Sequence, residues 1–157
     1  MGRGPVSRKN PKDEYLTDAE FRAWHGCLLF TTAATRALDE AITAAHGISL
    51  KEFDVLITLF NAPDDRLRMT DLAERVILTP SGVTHLVTRL ERAGLVNRIV
   101  DEEDRRSSFA ALTPAGHRRL RESRPTHNDV VRTHLTRRLT PNQLATLGAL
   151  WETILEP

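Results

Sequence analysis

Cysteine is nearly absent. Cys27 is the one thiol in 157 residues, which excludes an internal disulfide framework and suits a reducing compartment. No apolar run approaches the ~20 residues that cross a bilayer, and the N-terminal stretch lacks the apolar segment of an export leader. The expectation is a soluble, cytoplasmic protein with no membrane partner. There is no glycine-rich phosphate loop, no nucleophile turn and no carboxylate pair in an apolar setting, so an enzyme is not expected. The histidines lack the close spacing of metal ligands. His127 and His134 could share a helical face, but Cys27 has no second cysteine beside it, so neither a metal nor a cofactor is expected.

What is present is ordinary in amount and uneven in placement. The chain is 40% hydrophobic and 27% charged, a composition typical of one soluble domain with a real core. Net charge is only +1, too little for a global field. Arginine outnumbers lysine by 19 to 3, and from Arg66 to Arg121 eleven arginines face seven acids. Residues 1–15 carry Arg3, Arg8, Lys9 and Lys12 among Gly and Pro, and read as a flexible basic arm.

Helix starts are written in capping chemistry. Thr17 with Glu20, Ser49 with Glu52, and Thr140 with Gln143 form capping boxes. Pro114 and Pro141 follow Thr113 and Thr140 at the first helical position. Thr70 and Thr79 are expected to open two short central helices. The predicted elements are helices over 18–46, 50–61, 71–76 and 80–93, strands over 95–100 and 108–112, and helices over 114–139 and 141–155. Pro125 is expected to kink or split the helix that contains it. In the first helix Phe21, Trp24, Leu28, Leu38 and Ile42 keep helical spacing, and Phe53, Leu56, Ile57 and Phe60 are expected to face inward from the second. The fold class is mainly α with a small β-hairpin.

Residues 69–116 are the most informative stretch. A short helix, a turn, a second helix and an arginine-tipped hairpin make a winged helix-turn-helix. A helix fits the major groove of double-stranded DNA and an arginine hairpin fits the minor groove. Over 80–93, Val83, Leu86, Val87 and Leu90 form the inward stripe. The other face offers Ser81, Thr84, His85, Thr88 and Arg89 to bases or phosphates. The hairpin tip offers Asp104, Arg105 and Arg106, with Asp104 expected to hold Arg106 extended. Its acidic half from Asp101 is a poor DNA surface. An amphipathic helix with a solvated face, and a solvated charged turn, are the alternatives to these assignments. The last helix carries Leu144, Leu147, Leu150, Trp151, Ile154 and Leu155, more apolar surface than a small lobe covers, which points to a partner.

The run GISLKEFDVLITL, then MTDLAERVILTPSGVTHLVTRLERAGLVNRIVDEEDRRSSFAALTPAG, resembles the MarR (multiple antibiotic resistance regulator) family. Asp104, Arg106, Leu112 and Thr113 fit its wing pattern. The resemblance implies a homodimeric repressor on a pseudo-palindromic operator. Dimerisation helices would come from 16–48 and 114–157, with Leu144, Leu147, Trp151, Ile154 and Leu155 at the interface, and the DNA-binding lobe from 49–113. It also implies relief by a small aromatic or anionic effector, for which Trp24, His25, Phe53, Asp54 and Arg98 are the crevice candidates. Asp54 and Arg98 could instead form a plain salt bridge. One branch needs an arginine where this chain has Leu86, which argues against urate. Another branch senses peroxide through a first-helix cysteine, which makes Cys27 a candidate thiol switch. The tyrosines that hold that thiolate are absent, since Thr31 and Ala41 occupy the nearest positions. A winged helix used only for protein contact is the remaining alternative.

Overall fold

The computed structural model describes residues 15–76, 80–101 and 107–156. They fall into two compact units, one within residues 1–33 and one within 34–157. The helices are α1 (Asp18–His46), α2 (Leu50–Phe60), α3 (Met69–Arg75), α4 (Pro80–Arg92), α5 (Pro114–His134) and α6 (Pro141–Leu155). Three short strands, β1 (Arg66–Arg68), β2 (Val96–Val100) and β3 (Ser108–Leu112), form an antiparallel sheet in the order β1-β3-β2. This is the winged-helix arrangement expected from the sequence.

In the first unit the Thr17–Glu20 capping box starts α1. Glu20 Oε2 accepts from the Thr17 N–H and hydroxyl, both at 2.7 Å. These two bonds favour the ionised form and hold the Glu20 carboxyl below its ordinary range. Phe21 and His25, one turn apart, stack with ring centres 5.2 Å apart. Phe21, Trp24 and Leu28 are exposed on the single chain.

The second unit has a core built from α2, α3, α4 and the sheet, centred on Phe53, Leu56, Leu59, Leu72, Val83, Val87, Leu90 and Val96. The last part of α1 joins it through Ile42. Leu50 N donates to Asp39 Oδ1 at 2.8 Å, and His46 Nε2 meets Thr126 Oγ1 at 2.8 Å, tying the end of α1 to α2 and α5. Arg119 of α5 donates to the His46 carbonyl. The expected boxes at Ser49–Glu52 and Thr140–Gln143 both form.

Thr113 locks the base of the hairpin to α5. Its hydroxyl donates to Gly94 O at 2.7 Å and accepts from Gly116 N at 3.0 Å. One small side chain thus closes the β2–β3 hairpin and caps α5. Gly94 ends the turn after α4 at φ +69°, a conformation natural to glycine. At Gly116 a Cβ would press on the Leu95 carbonyl oxygen and on Leu112, so α5 approaches the sheet only without a side chain there.

Several expectations need correction. Thr70 does not cap α3: the helix begins at Met69 after Arg68, and the Thr70 hydroxyl bonds Asp71 instead. Strand β1 was not foreseen. It follows a tight turn in which Asp64 and Asp65 adopt left-handed φ values of 54° and 53°, tolerable for aspartate. Pro125 does not split its helix, which continues to His134 before a 3-10 turn at Thr136–Arg138. Pro125 is exposed, so the carbonyl that loses its N–H partner can be hydrated. Phe60 does not face inward; it is 39% exposed. Thr79 and residues 1–14 lie outside the described residues.

Candidate nucleic-acid interface

Helix α4 has the two-sided character its sequence demands. Val83, Val87 and Leu90 are fully buried, and Ser81, Thr84, His85 and Arg89 are exposed. Burial of the stripe fixes the roll of the helix, so the polar face is presented as one surface. Thr88 is half-buried: its hydroxyl donates back to Thr84 O at 2.8 Å and receives a long contact from Arg98 Nη2 at 3.5 Å. Arg89, though exposed, is tied to α2 by an ion pair. Its Nη2 lies 3.2 Å from Glu52 Oε1, and the Glu52 side chain is almost wholly buried. The other oxygen of Glu52 accepts the Ser49 N–H and hydroxyl at 2.8 and 2.9 Å. The capping box of α2 and the recognition-type helix α4 therefore share one carboxylate. Of the five α4 candidates, Ser81, Thr84 and His85 form the outward group, whereas Thr88 and Arg89 also hold the helix in place.

The hairpin stem is clamped from β1. Arg68 Nη2 lies 2.6 Å from Asp101 Oδ2, and Arg68 Nη1 donates to Ser107 Oγ at 2.9 Å. Ser107 Oγ in turn donates to Asp101 Oδ2 at 3.1 Å, and Asp101 N bonds the Ser107 carbonyl. Asp101 is buried at 7% exposure. At Asp101 the alternative of a solvated charged turn does not hold: that carboxylate is internal and paired. Arg66 and Arg68 also flank the Phe109 ring, their guanidinium carbons 5.3 and 5.0 Å from its centre. The clamp joins both ends of the segment that carries Asp104, Arg105 and Arg106. Those three residues lie outside the described residues. The sequence does not announce Arg68, because a three-residue strand shows too little alternation to be read.

The crevice candidates are divided between the two units, Trp24 and His25 in the first and Phe53, Asp54 and Arg98 in the second. Trp24 and His25 belong to the first unit and are exposed there. Phe53 is a core residue, 1% exposed and stacked on His127 at 4.8 Å, so it offers no surface to a ligand. The Asp54–Arg98 salt bridge does not form: Arg98 turns to Thr88, and its Nε is buried without an acceptor among the described residues. Asp54 instead lines a groove of about 560 Å³ with Lys51, Arg75 and Thr35. Crowding of its carboxyl by neighbouring helices raises the Asp54 pKa, an effect partly offset by His127. Cys27 is half-buried on α1. In α6, Leu144 and Leu147 are half-buried, and Leu150, Trp151, Ile154 and Leu155 are exposed. No helix among the described residues is long and apolar enough to cross a membrane.

Residues 48–108, spanning α2 to the start of β3, match the model of the MarR family. The HTH-type transcriptional repressor YetL of Bacillus subtilis is 39% identical over 84 residues, 54% of this chain and 50% of that protein. The chain spans about half the length of the curated relatives it matches. Similarity to solved structures runs further. Sco3205, a MarR family transcriptional regulator from Streptomyces coelicolor solved in complex with DNA, superposes with a TM-score of 0.84 at 35% identity. That alignment covers 91% of this chain and 92% of that one. AbsC, a MarR family transcriptional regulator from the same organism, gives 0.81 at 34% identity over 89% and 94%.

Proposed function

Because the chain belongs to the MarR family, we propose that it is a cytoplasmic, DNA-binding transcriptional repressor that acts as a homodimer on a pseudo-palindromic operator. The observation that carries this reading is the placement of α4. Its outward group of Ser81, Thr84 and His85 is held rigid from behind by Glu52, beside a hairpin whose stem is clamped by Arg68. The α4 face reads base edges in the major groove, and Arg105 or Arg106 enters the neighbouring minor groove. DNA in complex with the similar Sco3205 supports the same role here. The helices within 16–48 and 114–157 supply the dimer contacts, through the exposed apolar residues of α1 and α6. Two lobes related by a twofold axis then meet half-sites about one helical turn apart. The repressor is relieved by a small effector at the groove of Asp54, Lys51 and Arg75, whose volume suits a compact ligand.

The test is binding of the full chain to DNA flanking its own coding region, followed by fluorescence anisotropy across a salt series and by footprinting. The expected result is a protected pseudo-palindrome and an affinity that falls steeply with salt through counterion release. Arg106→Ala weakens binding by about 1–3 kcal/mol. Absence of binding at low salt, on that DNA and on a random operator pool, overturns the reading.

A further inference from the structure

The sheet order β1-β3-β2 leaves one side of β2 without a neighbouring strand. At either end of β2 the main chain turns to β3: Thr113 N donates to Leu95 O, and Asp101 N donates to Ser107 O, both at 3.1 Å. Antiparallel pairing alternates along the strand. Asn97 and Ile99 therefore also face β3, and the N–H and C=O groups of Arg98 and Val100 point to the open side. No hydrogen bond among the described residues takes those groups. The edge is regular, paired to β3 from Val96 to Val100 without a bulge, and it contains neither Lys nor Pro. Ile99 and Val100 are 43% and 59% exposed. Such an edge accepts a further strand unless something guards it.

The guard is Arg98. It is in register with the buried Ala110, so it lies on the core face of the sheet beside α4, half-buried. Among the described residues its Nε is buried with no acceptor, its Nη2 reaches Thr88 Oγ1 at 3.5 Å, and no acid lies within ion-pair distance. A strand that sets a basic residue opposite Arg98 is repelled, and one that sets a carboxylate there supplies the acceptor the guanidinium lacks. We propose that the open edge of β2 binds an extended acidic segment of a partner protein as an added antiparallel strand. One carboxylate of the segment sits opposite Arg98. The two residues before it are apolar and sit opposite Ile99 and Val100. Main-chain hydrogen bonds to Arg98 and Val100 give affinity, and the Arg98 pair gives selectivity. The antiparallel direction follows from its slightly stronger ladder. The contact is measured on the protein alone and does not rest on the DNA-binding reading.

The probe is the capped, dye-labelled peptide Ser-Thr-Val-Ile-Glu-Val-Thr-Ser, titrated with the full chain and followed by fluorescence anisotropy. In the proposed register its Glu lies opposite Arg98. The expected result is saturable binding, weaker by about tenfold to a hundredfold when Gln replaces the Glu, the range for a lost charged hydrogen bond. Methylation of the Glu amide nitrogen abolishes binding, because that nitrogen donates to the Arg98 carbonyl. Arg98→Gln removes the preference for Glu over Gln. Val100→Pro takes an N–H from the open side only, so it spares the β3 ladder, leaves the circular dichroism unchanged and weakens the peptide. The N-methylated peptide decides the matter on the unaltered chain even if Val100→Pro fails to fold. The proposal is overturned by no saturable binding, by equal binding of the N-methylated peptide, or by equal binding of the Glu and Gln peptides to the unaltered chain. A silent peptide with DNA affinity lowered by Arg98→Gln would assign the edge to DNA. Species larger than a dimer in sedimentation, dissolved by Val100→Pro, would assign it to a second copy of the chain. Either result also overturns the proposal.

Discussion

Arg89 of α4 and Glu52 of α2 form an ion pair of 3.2 Å in which the carboxylate is buried and the guanidinium exposed. Glu52 is held by the Ser49 N–H and hydroxyl as well, so its position does not depend on the arginine. Arg89 thereby fixes the helix that presents Ser81, Thr84 and His85, whatever further contact it makes with DNA.

Glu52→Ala removes both roles at once, leaving Ser49 N–H without its acceptor and Arg89 without its partner. The expected loss is about 1–3 kcal/mol by urea denaturation. Glu52→Gln keeps an acceptor for Ser49 and gives up only the charge, so it costs less than half as much. Equal losses for the two variants would show that the charge pair, and not the cap, carries the stability.

Much of this architecture is legible in the sequence because capping is local. Ser49, Thr113 and Thr140 announce their helices within four residues, and the Val83–Val87–Leu90 stripe reveals which face of α4 is left outside. The paired roles are not legible, because they depend on residues far apart in the chain. Nothing near Arg89 announces Glu52, and nothing near Asp101 announces Arg68. Strand β1 escaped for a related reason. Arg66-Leu67-Arg68 becomes a strand only because β3 is there to pair with it, in the register Leu67 to Ala110. Phe60 shows the limit of periodicity: its spacing from Phe53 places it on the same side of α2, yet that side runs past the core towards His117 of α5.

The clamp at the hairpin stem makes a second prediction. Arg68→Ala leaves Asp101 buried at 7% exposure without its cation. Arg68 is itself partly exposed, so the loss is about 2 kcal/mol, below the full cost of breaking a buried pair. DNA affinity falls further than stability alone explains, because the segment bearing Arg105 and Arg106 is anchored at this point. Adding Asp101→Asn to Arg68→Ala removes the stranded charge and recovers part of the stability. A double-mutant cycle that shows strict additivity would refute the coupling.

Exposure on α6 predicts the effect of charge there. Ile154 and Trp151 are 64% and 37% exposed on the single chain, so Ile154→Glu and Trp151→Glu cost little to a lone subunit. In the proposed dimer they place a carboxylate in an apolar contact. Association weakens by about 2 kcal/mol or more, roughly thirtyfold in Kd. Analytical ultracentrifugation reads the shift directly, and an unchanged dimer would move the interface off α6.

Asp54 supplies a pH prediction whose sign is set by the direction of its shift. Burial raises its folded-state pKa above the ordinary carboxylate value, with His127 opposing the rise. A group raised on folding favours the native state fully when both states are protonated. That contribution is lost as pH climbs from the ordinary carboxylate value through the folded-state pKa, because over that window the unfolded chain ionises its carboxyl while the folded protein still holds the proton. Asp54→Asn abolishes this titration. Its Tm relative to wild type is therefore expected to improve as pH rises from below the ordinary carboxylate range towards neutrality. His127→Phe, which keeps the stack on Phe53 but removes the favourable charge, pushes the Asp54 titration to still higher pH. Side-chain carboxyl chemical shifts followed by NMR across the titration measure both effects. An Asp54 midpoint at or below the ordinary value would mean that contacts to His127 and Lys51 outweigh desolvation in the groove.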